Sequence, residues 1–140
     1  MSSPSNPACD AYGALLRAAA SVASRVNRRL ASKGLTASRF GALCALWADG
    51  PLCPHELASR LGQTRGNVTM ILDNLERRGL VERRREGVNR RYLAVHLTPR
   101  GRRLVASLAP LHRRAIAAEM PLSPSDLRHL SRICRRLLLS

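Results

Sequence analysis

Apolar residues recur along the chain at steps of three and four, which predicts helices with one apolar face. The first predicted helix runs from Ala11 to about Ala31, and its apolar positions are Leu15, Ala19, Val22, Val26 and Leu30. A second helix follows Thr36, a good N-cap residue, and ends at Asp49-Gly50-Pro51, where glycine and proline break the pattern.

Two shorter helices are predicted in the middle of the chain, on either side of Gly62-Gln63-Thr64. The first runs from Pro54 to about Leu61, and proline is well placed there because the first helical turn has no partner for its N–H. The second lies between Thr64 and Gly79, and its inward stripe is Val68, Ile71, Leu72 and Leu75. That stripe leaves Arg65, Asn67 and Thr69 on the outside.

The segments after Gly79 predict a β-hairpin and then two more helices. Residues 80–85 and 92–97 are strand-like, and residues 86–89 between them contain a glycine turn. Thr98-Pro99 begins a long helix that Pro110 is expected to bend. Ser123 begins the last helix, with the spacing of a capping box. The fold class is therefore mainly α with a small β-hairpin.

The balance of charge is the most unusual feature of the composition. The chain has 24 Lys and Arg residues against 9 Asp and Glu residues, a net charge of +15. Lys33 is the single lysine, so guanidinium groups carry nearly all of the positive charge, and these match phosphate oxygens and guanine edges. Arginine-rich codon usage would explain part of the arginine excess but not the net charge. A polyanionic partner is expected.

Length and composition exclude several other classes of protein. A chain of 140 residues that is 45% hydrophobic fits one globular domain. Paired carboxylates, a nucleophile elbow and a phosphate-binding glycine loop are absent from the sequence, so no enzyme and no cofactor is expected. Residues 1–8 lack the pattern of a signal peptide, and no apolar run approaches the roughly eighteen residues of a membrane span, which favours a cytoplasmic location. The four cysteines lack zinc spacing, and no metal is expected: Cys9, Cys44, Cys53 and Cys134.

Two short helices followed by an arginine-bearing hairpin are the arrangement of a winged helix-turn-helix. The motifs that carry a closer resemblance are Leu35-Thr36, Pro54-x-Glu56-Leu57-Ala58-x-x-Leu61-Gly62, Thr64-Arg65-Gly66-x-Val68-Thr69, Leu72-Asp73-x-Leu75-Glu76-x-x-Gly79-Leu80-Val81-Glu82-Arg83, Arg90-Arg91 and Leu97-Thr98-Pro99-x-Gly101. In this order they resemble the MarR family of bacterial transcriptional regulators over residues 11–139.

The resemblance implies one MarR-like domain over residues 1–140, with a helical dimerisation region at residues 11–35 and 102–140 around a winged helix-turn-helix at residues 36–101. It also implies a homodimer that represses transcription from a pseudo-palindromic double-stranded DNA operator. A small aromatic or phenolic ligand would release the operator. A pocket for that ligand is expected near Trp47, His112 and Arg17.

The family's DNA-binding residues transfer to six positions of this chain. By resemblance, Thr64 caps the recognition helix, Arg65, Asn67 and Thr69 face the major groove, and Arg90 and Arg91 are the wing arginines. Asn67 stands at the third helical position, where it could instead support the cap. For Arg83 to Arg85, a solvated face or general phosphate attraction is expected rather than base readout.

The chain departs from the family pattern at three positions. Asn89 replaces the usual aspartate before the paired arginines, and Met70 stands where the family often has arginine or lysine. Cys53 replaces the usual Ser or Thr before Pro54, which predicts a weak cap that costs roughly 1 kcal/mol.

Two alternative functions stay open at this point. One is an oxidant-sensing repressor of the same fold, in which a thiol at Cys9 or Cys53 reacts; a thiol at a helix N-terminus can have a lowered pKa. The other is a structural RNA-binding protein, which the charge would suit. Aromatic residues make up only 3% of the chain, which leaves few platforms for stacking single-stranded RNA.

Overall fold

The computed structural model of the chain describes residues 4–139, so the ends of the predicted domain, residues 1–3 and 140, lie outside the described residues. Its elements in chain order are α1 (Pro7–Val26), α2 (Arg28–Ser32), α3 (Ala37–Asp49), α4 (Pro54–Leu61), α5 (Arg65–Arg77), β1 (Val81–Glu86), β2 (Tyr92–Leu97), α6 (Pro99–Glu119) and α7 (Pro124–Leu138). The predicted fold class, mainly helical with one antiparallel hairpin, is confirmed.

The prediction of one unbroken first helix from Ala11 to Ala31 is wrong at its start and in its interior. The helix begins at Pro7, because the side chain of Asn6 accepts a hydrogen bond from the Ala8 N–H at 2.9 Å. It ends at Val26, and α2 follows after Asn27. Asparagine has a low helix propensity, which suits the junction between the two helices.

The core lies where α3, α4 and α5 meet the hairpin. Leu43, Leu57, Leu75 and Val95 are each 0% exposed. The two strands pair antiparallel, with Val81 opposite Leu97 and Glu86 opposite Tyr92. Leu52 adds a short bridge to β2, because its carbonyl accepts from the Val95 N–H at 2.8 Å.

The start of α6 is locked against the end of α5 by a close backbone approach. The Thr98 hydroxyl accepts the Gly101 N–H at 3.0 Å and donates to the Gly79 carbonyl at 2.6 Å. A Cβ at position 101 would lie 2.2 Å from the Leu80 carbonyl oxygen. Only glycine fits there, which explains in physical terms the Thr98-Pro99-x-Gly101 motif.

The other predicted boundaries agree closely with the structure. Thr36 caps α3 and Ser123 caps α7 through their side-chain oxygens. Gly79 follows the C-cap residue of α5 with a φ of +70°, a left-handed conformation that favours glycine. β1 begins one residue later than predicted, at Val81. Pro110 lies inside α6, which continues as a helix on both sides of it.

A polar contact joins the end of α2 to the end of α5. The Arg78 guanidinium donates to the Lys33 carbonyl at 2.8 Å and to the Gly34 carbonyl at 2.9 Å. These carbonyls follow α2, where helical partners are missing, so Arg78 satisfies groups that would otherwise depend on water. The first two helices are thus attached to the helix-turn-helix.

We call α1, α7 and the second half of α6 the terminal helices. α7 has no buried residue, and its apolar positions Ile133 and Leu137 are 41% and 58% exposed. Arg25 and Glu119 form an ion pair between α1 and α6. Within residues 4–139, no helix combines the length and the apolar character needed to cross a membrane.

Candidate nucleic-acid interface

The first turn of α5 is organised by the residue before it. The Thr64 hydroxyl accepts a hydrogen bond from the Asn67 N–H at 3.1 Å, so the predicted cap is confirmed. Because the apolar stripe of α5 is turned into the core, the helix presents Arg65, Asn67 and Thr69 on its exposed side.

Arg65 has a partner that the sequence pattern did not indicate. One Nη2 donor of its guanidinium lies 3.1 Å from Nδ1 of His55, a residue in the first turn of α4. An arginine has no lone pair to offer, so the imidazole nitrogen is the acceptor. The contact holds the guanidinium in one orientation, while Nε and Nη1 stay available for an outside acceptor.

Asn67 and Thr69 also make hydrogen bonds within the chain. The Asn67 side chain donates to Gln63 Oε1 at 3.1 Å, and the Thr69 hydroxyl donates to the Arg65 carbonyl at 3.0 Å. Asn67 therefore supports the turn before α5, while its side-chain oxygen and the Thr69 oxygen retain lone pairs. Both residues lie on the exposed face of α5.

The wing tip holds Arg90 and Arg91 on a tight turn between the strands. The Arg90 N–H donates to the Gly87 carbonyl at 3.1 Å. Asn89 and Arg90 have φ values of +57° and +55°, and asparagine adopts this left-handed conformation more easily than most residues. Both arginine side chains are exposed, and Asn89 is compatible with an ordered wing.

Arg83 differs from the solvated or phosphate-attracting residue that the sequence suggested. Its guanidinium contacts Asp73 at 2.7 Å and Glu76 at 2.6 Å, and both carboxylates belong to α5. These two ion pairs tie β1 to α5. Arg84 also forms an ion pair, with Glu82 at 2.9 Å.

The base of the wing is attached to α4 by a second contact. The Tyr92 hydroxyl donates to Glu56 Oε1 at 2.9 Å, and this hydrogen bond raises the pKa of Tyr92 to about 12. The Cys53 N–H donates to the same oxygen at 3.1 Å and is the main reason that the pKa of Glu56 is lowered.

The Glu56 contact also corrects the prediction of a weak cap at Cys53. The carboxylate three residues into α4 satisfies a backbone N–H that the helix leaves without a partner. The signal in the sequence for this contact is a glutamate three residues after the N-cap position, which is the spacing of a capping box. Cys53 itself is half-buried, and Cys9 is exposed in the first turn of α1.

The structure does not bring together the three residues expected around a ligand. Trp47 and His112 line different cavities, and the Arg17 guanidinium lies beside Gly13 on α1. His112 packs edge-on against Phe40 with ring centroids 5.0 Å apart, and burial lowers its pKa.

The cavity at His112 has a volume of about 160 Å³ and lies between α2 and α6. Its apolar wall consists of Val26, Leu30, Leu108, Leu111 and Ala115. Arg29 and Lys33 add positive charge, and Ser32 adds a hydroxyl.

Comparisons with known proteins agree with the resemblance. A MarR family model matches residues 35–93. The regulator YkoM of Bacillus subtilis, whose description is an uncharacterised HTH-type transcriptional regulator, is 32% identical over 120 residues, which cover 85% of this chain and 78% of YkoM. The transcriptional repressor MprA of Escherichia coli strain K12 is 35% identical over 115 residues, covering 80% of this chain and 65% of MprA.

A solved structure shows the same fold over nearly the full length. BpsR of Bordetella bronchiseptica, whose DNA binding is regulated by 6-hydroxynicotinic acid, superimposes with a TM-score of 0.88 at 22% identity and covers 99% of each chain. The matched proteins are described as transcriptional regulators. With its exposed recognition helix and arginine-bearing wing, this chain belongs to the MarR family of DNA-binding transcriptional regulators.

Proposed function

We propose that this regulator is a homodimeric repressor that binds a pseudo-palindromic duplex and leaves it when a small ligand binds. The observation that carries the proposal is how α4 joins the two candidate DNA-contacting elements. His55 holds Arg65 at the start of α5, and the neighbouring Glu56 holds Tyr92, which directly follows Arg91. The recognition helix and the wing are thereby anchored to the same helical turn.

The chemistry of each element suits a different groove. His55 occupies one N–H of Arg65 Nη2, and the second Nη2–H still forms a fork with a neighbouring guanidinium N–H that matches O6 and N7 of a guanine in the major groove. Arg90 and Arg91 at the wing tip would enter the neighbouring minor groove, where width and potential matter more than base identity. Thr64, Asn67 and Thr69 would position α5 against the bases and phosphates.

Dimerisation is supported by the terminal helices. Their exposed apolar side chains include Tyr12, Leu16, Ile116, Ile133 and Leu137. Exposed apolar side chains in this number are unfavourable in water, and a second copy would cover them. Two-fold symmetry in the protein then requires a matching symmetry in the DNA. The division into winged and dimerisation regions stays a prediction.

Release by ligand is supported by the cavity between α2 and α6. Its apolar wall would accept an aromatic ring, and Arg29 and Lys33 would pair with a carboxylate. The Lys33 carbonyl also accepts a hydrogen bond from Arg78 at the end of α5. A ligand that moves Lys33 would therefore act on the recognition helix. BpsR, which responds to an aromatic acid, and MprA, described as a repressor, agree with this proposal.

Selection of bound duplexes from a random DNA pool tests the proposal. We expect a pseudo-palindrome with half-sites about one helical turn apart. If each subunit neutralises about four phosphates, the log-log slope of affinity against salt should be roughly −7. A slope shallower than about −2, equal affinity for a single half-site, or selection of single-stranded RNA would contradict the proposal.

Two variants separate base readout from general attraction. Arg65→Ala should relax preference at one position in each half-site, at a cost of about 1–3 kcal/mol. Arg91→Ala should weaken most duplexes to a similar extent. Arg103→Ala, which removes an exposed arginine on α6, is the matched control and should change affinity least.

The release step is tested on the selected duplex with two kinds of effector. Small aromatic carboxylic acids should weaken binding by the wild type and act less on Lys33→Gln. A mild organic peroxide tests the oxidant-sensing alternative, with Cys9→Ser and Cys53→Ser as controls. Peroxide release that disappears in either variant, without any response to aromatic acids, would replace the ligand mechanism.

A further inference from the structure

Met70 is an apolar residue on the face of α5 that is otherwise polar. Its side chain is 71% exposed, far more than the four apolar residues of the same helix that enter the core. It follows Asn67 by three residues, a spacing that places two side chains on one side of a helix. The two residues also line the same groove in the structure. Met70 therefore shares the surface that the proposed function assigns to the major groove.

Most of the other exposed apolar residues have a different explanation. Those on α1, α6 and α7 belong to the surface that a second copy would cover. Met70 lies on the helix-turn-helix, where the proposed occupant is DNA. A thioether has no charge to offer a phosphate and no donor for a base edge. In the major groove, the matching group is the C5-methyl of thymine, because an apolar contact there is the feature that distinguishes thymine from the other bases.

We propose that Met70 determines specificity by packing against the C5-methyl of a thymine in each half-site. This inference rests on the proposed function and adds a base to the recognition site. The groove beside Met70 is also lined by Arg39 and Arg77, which add positive charge, and by Asp73, whose carboxylate is paired with Arg83. Flexible and unbranched, the methionine side chain can follow the position of the methyl group.

The test removes the methyl group from DNA and the thioether from the protein separately. Each thymine of the selected duplex is replaced in turn by deoxyuridine, which keeps base pairing and lacks only the C5-methyl. For the wild type, one symmetric pair of replacements should weaken binding about fourfold per half-site, from roughly 0.8 kcal/mol per buried methyl-sized group. The other replacements should have smaller effects.

Met70→Gln is the matching protein variant, because glutamine has a similar length and helix propensity but no apolar end. It should bind the thymine and deoxyuridine duplexes equally, whereas Met70→Leu should keep a preference for thymine. Since Met70 is exposed, thermal unfolding of both variants should match the wild type. The deoxyuridine replacements with wild-type protein test the contact even if neither variant folds.

The outcomes separate the inference from the proposed function. A protein that selects no duplex would overturn both. A duplex that is selected and bound, but is insensitive to deoxyuridine at every thymine, would overturn the Met70 assignment alone. The assignment is also wrong if Met70→Gln keeps the wild-type deoxyuridine effect, or if Met70→Lys tightens all duplexes alike while that effect persists, because Met70 would then face the backbone.

Discussion

The winged region, residues 36–101, and the terminal helices use their apolar residues in opposite ways. In the winged region, the apolar faces of three helices and a hairpin converge, and Leu43, Leu57 and Leu75 are wholly buried. In α7 the apolar face has the same helical spacing, yet no residue of that helix is buried. One region completes its core within a single chain, and the other does not.

This difference shows that helical periodicity states which face of a helix will be covered, but not by which chain. The winged region also has polar contacts between its elements, through Arg83 with Asp73 and through Tyr92 with Glu56. These contacts fix orientation, which base readout requires. In the terminal helices, exposed apolar area is the main feature, and it suits association.

The largest effect is expected from charges placed on the terminal helices. The double change of Ile133→Glu and Leu137→Glu should convert the proposed dimer to monomer, because burying a charge without a partner is strongly unfavourable. Loss of two-site binding should weaken affinity for the palindrome by about 10²–10⁴-fold. Analytical ultracentrifugation and DNA titration measure the two results. Arg128→Glu, on the charged face of α7, is the control and should stay dimeric. An intact dimer in the double variant would show that a second copy does not cover the apolar face of α7.

A large loss of stability is expected from a cavity in the winged region. Leu75→Ala should reduce the free energy of unfolding by about 2–5 kcal/mol, as a fully buried leucine leaves a void when truncated. Urea denaturation followed by circular dichroism measures it. Leu139→Ala makes the same change at an exposed position after α7 and should have little effect. Equal losses of unfolding free energy in the two variants would show that the winged region does not bury its apolar residues more completely than the terminal helices do.

A smaller and more local effect is expected from the residue that orients Arg65. His55→Leu removes the acceptor at 3.1 Å and should lower discrimination at the base pair that Arg65 is proposed to read by about tenfold, or roughly 1.4 kcal/mol. His55→Asn offers an acceptor near the position of Nδ1 and should restore most of it. Competition binding with single-base variants of the operator measures discrimination. The oligomeric state should stay unchanged, and a uniform loss over all sequences would argue against an orienting role.

The smallest effect is expected from the wing contact, and it depends on pH. The pKa of Tyr92 is raised from 10.0 to about 12 by its hydrogen bond to Glu56, so the fold favours the protonated hydroxyl. Its contribution to stability should be fully present below pH 10 and should disappear as the pH rises through about 12. The difference between wild type and Tyr92→Phe in urea denaturation should shrink accordingly. Tyr12→Phe, at an exposed position of α1, is the control, and a difference independent of pH would contradict the assignment.

Local sequence signals are sufficient to assign most of the secondary structure and the class of fold. Capping residues and glycines are local signals, and Thr36, Thr64, Gly79 and Ser123 each mark a boundary within two residues of where it occurs. Apolar periodicity assigned the buried stripe of α5 correctly, because burial follows from the spacing of side chains around a helix. The first helix was misplaced where Asn6-Pro7 started it earlier and Asn27 interrupted it.

Which charged and polar residues contact one another depends on how the helices and strands pack. Arg83 meets two carboxylates of α5, and Arg65 meets His55 of α4, across sequence separations that no local pattern encodes. The expected grouping of Trp47, His112 and Arg17 failed for the same reason, since the positions of side chains on different elements depend on how those elements pack. A long, flexible arginine takes whichever acceptor the fold brings within reach, and in a chain with 24 basic residues the sequence does not say which of them find one.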